Sequence, residues 1–76
     1  MRHLRHLRYV DEVARTGSMR RAAERLNVTA SALNRRVQDV EDELGTKIFE
    51  RLPRGVRLNA AGELLIRHIR MGLETQ

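Results

Sequence analysis

The chain has no cysteine, no tryptophan, a single proline and only two aromatic residues, Tyr9 and Phe49. Without thiols there is no disulfide framework and no thiolate metal site. Two aromatics at apolar-patterned positions do not make the stacking platform that single-stranded nucleic acid needs. No apolar run approaches the length of a membrane span, and the N-terminus has no apolar signal segment, so a soluble intracellular chain is expected. A glycine-rich phosphate loop, a His-Glu metal pair and a nucleophile with a recognisable base are all absent, which argues against an enzyme. His3 and His6 are three residues apart, but no third His or paired carboxylate completes a site, and no metal or cofactor is expected. With 76 residues the chain is one small domain near the lower limit for a self-sufficient core. Part of its apolar surface is therefore expected to meet a partner.

What is present centres on Ser18–Leu44, which reads as two amphipathic helices joined by a tight corner. Ser18 is a good N-cap, and Met19, Ala22, Ala23 and Leu26 fall on one helical face. Asn27 tolerates the left-handed conformation of a helix-ending corner, and Thr29 can cap a second helix with apolar positions Leu33, Val37, Val40 and Leu44. The small Ala22 and Ala23 let the second helix cross closely over the first, as a helix-turn-helix requires. Opposite Leu33 and Val37 lie Ser31, Arg35, Gln38 and Asp42, with Asn34 at the flank. Arg suits guanine, Gln and Asn suit adenine, and Ser or Thr takes either a base edge or a phosphate. A solvated polar face would look the same, so charge placement has to decide.

The net charge of +5 is unevenly distributed. Residues 1–38 carry nine Arg against three acids, residues 39–46 four acids and no base, and residues 47–76 six bases against three acids. Asp39, Glu41, Asp42 and Glu43 gather at the C-terminal end of the second helix, where they would repel phosphate. Only Thr29 to Gln38 can then face a polyanion, the way a recognition helix is commonly inserted. Fourteen of the fifteen bases are Arg, an excess that a GC-rich genome also produces, so position carries the argument and number does not.

In the first sixteen residues Leu4, Leu7, Val10, Val13 and Ala14 make one stripe of a first helix, ended by Gly17. Arg2 and Arg5 at its start are further candidates for phosphate. After Gly45, residues 46–50 and 56–58 read as two short strands, and Arg51 to Gly55, with Pro53, as a turn with a basic tip. Arg at 51, 54 and 57 favours a wing over a plain surface hairpin. Asn59 can cap a last helix over 60–74, whose Leu64, Leu65, Ile66, Ile69, Met71 and Leu73 cover more than half the circumference. Self-association is the expected use of the surplus. A membrane-surface helix is disfavoured, with only Arg67 and Arg70 on its polar face.

The words RAAERLNVT, ELGTKIFER and RGVRLNAAGE, with Val13-Ala14, Gly17-Ser18, Ala32-Leu33 and Ala61-Gly62-Glu63 at their spacing, resemble the N-terminal domain of LysR-type transcriptional regulators over nearly the whole chain. That resemblance implies a mainly α winged helix-turn-helix, with a three-helix core and two-stranded wing over 1–58, and a long linker or dimerisation helix over 59–76. It implies a dimer, joined through that helix, on an interrupted inverted repeat of duplex DNA in the cytoplasm, at the nucleoid. Carried onto this sequence, Thr29, Ser31, Asn34, Arg35 and Gln38 face bases or groove, and Ser18, Arg20, Arg21, Arg51 and Arg54 face phosphate or belong to the wing. Leu65, Ile69 and Leu73 are the implied interface. The family's effector domain lies outside these residues, so no small-molecule effector is expected to bind them. Ala30-Ser31 stands where the family often has Gln followed by Pro or Ser, Asn34 replaces a common Ser, and Arg36 a frequent Gln, so the operator should differ accordingly. The competing reading is a winged-helix protein-interaction module that binds no nucleic acid and uses the acidic block as its contact surface.

Overall fold

The computed structural model describes residues 4–74, with side chains from 6 to 71. Its order is α1 (Leu4–Thr16), α2 (Met19–Leu26), α3 (Ala30–Leu44), β1 (Phe49–Leu52), β2 (Gly55–Leu58) and α4 (Ala60–Glu74). The boundaries follow from capping chemistry. Ser18 Oγ accepts from Arg21 N at 3.2 Å and Thr29 Oγ1 from Ala32 N at 3.0 Å, so α2 and α3 each start on a side-chain cap. Asn27, in the left-handed region at φ 59°, turns the chain between them in three residues. Asn59 Oδ1 accepts from Gly62 N at 2.8 Å, and its Nδ2 donates to Lys47 O at 2.9 Å, which caps α4 and ties it to the loop before the hairpin.

One core serves every element. Leu7, Val10 and Val13 of α1 meet Ala22 and Ala23 of α2, Leu33, Val37 and Val40 of α3, Ile48, Val56 of β2, and Ile66 and Ile69 of α4. The alanines are buried at the α2–α3 crossing, where a larger side chain would push the helices apart. Asp11 is the buried charged residue of this core at 8% exposure. Its carboxylate accepts from Arg15 Nε at 2.9 Å on the same helix and from Arg70 Nε at 3.0 Å on α4. That bond, and then the carboxylate's charge, holds the Arg15 guanidinium above its ordinary pKa.

Three expectations are corrected. The first strand starts at Phe49, not at residue 46, because Thr46 N donates to Glu41 O at 3.1 Å and Ile48 N to Glu41 Oε2 at 2.9 Å. Those donors are spent on the end of α3, and pairing begins with Phe49 opposite Leu58. The second strand takes in Gly55, which pairs with Leu52 and leaves a two-residue loop of Pro53 and Arg54. Leu44, assigned to the apolar face of α3, is 40% exposed, since the chain turns away at Gly45 before another element can cover it.

The last helix also departs from expectation. Ile69 is only 6% exposed and belongs to the chain's own core, while Leu65 is partly buried against it. Among the described side chains of α4 the exposed large apolar ones are Leu64 at 66% and Met71 at 60% exposure. The side chains of Arg5 and Leu73, and all of Arg2 and His3, lie outside the described residues.

Candidate nucleic-acid interface

Polar side chains gather where α3, the start of α2 and the hairpin meet. Ser31, Arg35, Arg36 and Gln38 are exposed along the first half of α3, and Thr29 is exposed at its cap. Asn34, half-buried between them, accepts through Oδ1 from Arg51 Nη2 of β1 at 2.9 Å. A cleft of about 230 Å³ runs beside this pair, lined by Met19 of α2, Val37, Gln38 and Glu41 of α3, Lys47, and Phe49 and Arg51 of β1. Residues from α2, α3 and β1 thus share one surface. Arg20 and Arg21 follow Met19 in the exposed first turn of α2.

The caps that start these helices also condition the surface. Backbone N–H groups at a helix N-terminus favour an anion, and the hydroxyls of Ser18 and Thr29 still hold a proton to donate after accepting their capping bonds. The acidic residues lie at the far end of α3. Glu43 is twelve residues beyond Ser31, about 18 Å along the axis at 1.5 Å per residue. Glu41 is largely spent inside the fold, on Ile48 N and within 4.0 Å of Lys47 Nζ.

The hairpin is held rigidly against the corner after α1. Val56 N donates to Gly17 O at 3.1 Å, and Gly55 has φ 152°, in a region that favours glycine. A Cβ on Gly55 would run into that same Gly17 carbonyl oxygen. The three arginines of this segment serve different ends. Arg51 turns to Asn34, Arg54 is exposed at the tip, and Arg57 pairs with Glu50 at 3.0 Å, its direct cross-strand neighbour.

Ion pairing sorts the other arginines too. Arg15 and Arg70 pair with Asp11, and Arg25 with Glu12. Arg20, Arg21, Arg35, Arg36 and Arg54 have no carboxylate partner among the described residues; nor do Arg8 of α1 and Arg67 of α4. Lys47 was not singled out by sequence reasoning. It sits in the four-residue loop between α3 and β1, inside the segment read from sequence as a strand, and only the fold brings it beside Gln38 and Arg51. Among the described residues no group of His, Asp and Glu is arranged to hold a metal ion.

A helix-turn-helix whose second helix lies beside a two-stranded antiparallel hairpin, on a three-helix core, defines a winged helix-turn-helix domain. Residues 4–63 match the family described as bacterial regulatory helix-turn-helix protein, lysR family. The chain belongs to that family, as the resemblance implied. It is 41% identical over 70 residues to the HTH-type transcriptional regulator AlsR of Bacillus subtilis (strain 168), covering 92% of this chain and 23% of that protein. Among solved structures it superimposes on the CbnR_DBD-DNA complex with a TM-score of 0.90 at 38% identity, covering 96% of this chain and 84% of that one. The BenM_DBD/benA site 1 DNA complex gives a TM-score of 0.90 at 33% identity, covering 96% and 82%. The chain spans under a quarter of the length of AlsR.

Proposed function

We propose that this chain binds duplex DNA sequence-specifically as the DNA-reading part of a bacterial transcription regulator. The first half of α3 enters the major groove and the hairpin and α2 hold the backbone. The observation that carries this reading is the sorting of the arginines. Among the described residues Arg20, Arg21, Arg35, Arg36 and Arg54, grouped on the helix-turn-helix and the hairpin tip, have no carboxylate partner, as Arg8 and Arg67 on other helices also have none, while Arg15, Arg25, Arg57 and Arg70 are matched to acids. Unneutralised guanidinium groups beside two capped helix N-termini are what a polyanion needs. Ser31, Arg35 and Gln38 read base edges, with Asn34 and Thr29 at the margin; Ser18, Arg20, Arg21 and Arg54 take phosphates. A protein-binding role centred on 39–43 has less support, because Glu41 is engaged within the fold.

The reading extends to a homodimer on an interrupted inverted repeat, with residues 1–58 on DNA and 59–76 as the linker segment that joins two copies. Leu64 and Met71 replace Ile69 as its apolar contacts, with Leu65 at their edge. Symmetric pairing of this kind mirrors a two-fold operator. No helix among the described residues is long and apolar enough to cross a membrane, and we assign the protein to the cytoplasm and its nucleoid. No small-molecule effector acts on these residues. Selection from random duplexes followed by sequencing tests the proposal. It predicts enrichment of an inverted repeat, and a pool that stays random contradicts it.

A further inference from the structure

One side-chain bond joins α3 to the hairpin across 17 residues of sequence: Arg51 Nη2 donates to Asn34 Oδ1 at 2.9 Å. A guanidinium has donors only, so the Asn34 amide meets it in one orientation, with the oxygen toward Arg51 and the NH₂ group away. A hydrogen bond from a charged donor is roughly twice as strong as a neutral one, so this orientation is favoured over the flipped one. Among the described residues Arg51 has no carboxylate to draw it elsewhere.

We propose that Arg51 is a specificity-determining positioning residue, which fixes the Asn34 amide as a hydrogen-bond donor and so directs it to a G·C pair. The inference rests on the DNA-binding reading above. An unconstrained Asn reads adenine by accepting from N6 and donating to N7 at once. Here the oxygen is turned toward Arg51 with one of its two lone pairs taken, and an adenine N6 donor would have to reach the other beside that guanidinium. Guanine makes no such demand, since its major-groove edge offers only the acceptors O6 and N7, either of which can take an N–H of Nδ2. Gln38 lies one turn further along the same helix and lines the cleft beside Arg51, with no hydrogen-bond partner among the described residues. It keeps both halves of its amide and remains able to pair with adenine. The two amides of α3 thus read different bases because the hairpin engages only one.

The test is a selection from random duplexes run in parallel on the wild-type chain, Asn34→Ala, Arg51→Met and the double variant, with circular dichroism to confirm folding. Asn34→Ala identifies the base pair read by Asn34 as the one whose preference relaxes. At that pair the wild type is expected to enrich G·C, and Arg51→Met to shift enrichment toward A·T by about tenfold, the scale of one side-chain contact to a base edge. In the Asn34→Ala background Arg51→Met should change no base preference. An A·T preference in the wild type, or an unchanged preference in Arg51→Met, overturns the proposal. So does an even loss over all sequences with a salt slope reduced by about one, which marks Arg51 as a plain phosphate contact. A wild-type pool with no enrichment removes the DNA-binding reading itself and this inference with it, so the two failures are distinct.

Discussion

Arg35 is exposed on the first half of α3 with no acceptor among the described residues, and its guanidinium matches the guanine edge in a paired contact. Arg35→Ala should cost about 1–3 kcal/mol on the selected site and little on random DNA. Fluorescence anisotropy on both duplexes checks this, and equal losses would mean that Arg35 only neutralises phosphate. Gly62 sets a different constraint, because a Cβ there would meet the Ile48 carbonyl oxygen and come within 2.8 Å of Leu58 Cδ2. Alanine gains up to about 1 kcal/mol in helix propensity, but overpacking costs about 1–3 kcal/mol. Gly62→Ala should therefore lower the urea midpoint, and a rise would show that the α4 N-terminus relaxes freely. Much at this scale was legible in the sequence. Ser18, Thr29 and Asn59 declare themselves as caps because their side chains accept from the backbone three residues on, and Asn27 declares itself as a corner because it tolerates a positive φ. The partners of Arg51 and Arg57 were not legible, since both contacts depend on hairpin register.

At the scale of the element, α4 is where sequence and structure part. Hydrophobic periodicity counts apolar residues around a helix but cannot say how many neighbours that helix has. It therefore assigned Ile69 to a second copy, when the core of the same chain already buries it. Two substitutions that look alike in sequence consequently differ. Ile69→Asp buries an unpaired carboxylate and should unfold the domain or cost several kcal/mol, seen as loss of helical circular dichroism. Leu64→Asp changes an exposed residue, so it should leave the fold intact and weaken only the pairing of two chains, read by sedimentation equilibrium. A folded Ile69→Asp monomer would restore the simpler picture of an exposed stripe. The strand boundary was missed for a related reason. Residues 46–48 have the composition of a strand, but Glu41 claims the N–H groups of Thr46 and Ile48 from five and seven residues away.

For the whole molecule, the arrangement separates a basic reading end from an acidic far end of α3 and anchors the hairpin to both α3 and the α1–α2 corner. A dimer making about 6–10 phosphate contacts should lose about 10³–10⁵ in affinity between 50 and 200 mM salt, and a flat titration would contradict that. Charge alone gives affinity without choice, however, and the central claim is that α3 supplies the choice. The most direct measurement is the affinity of this chain for its selected duplex and for a scrambled duplex of equal length and composition, at one physiological salt concentration. The account predicts that the selected duplex binds at least about 10³-fold more tightly, and equal affinities would contradict it.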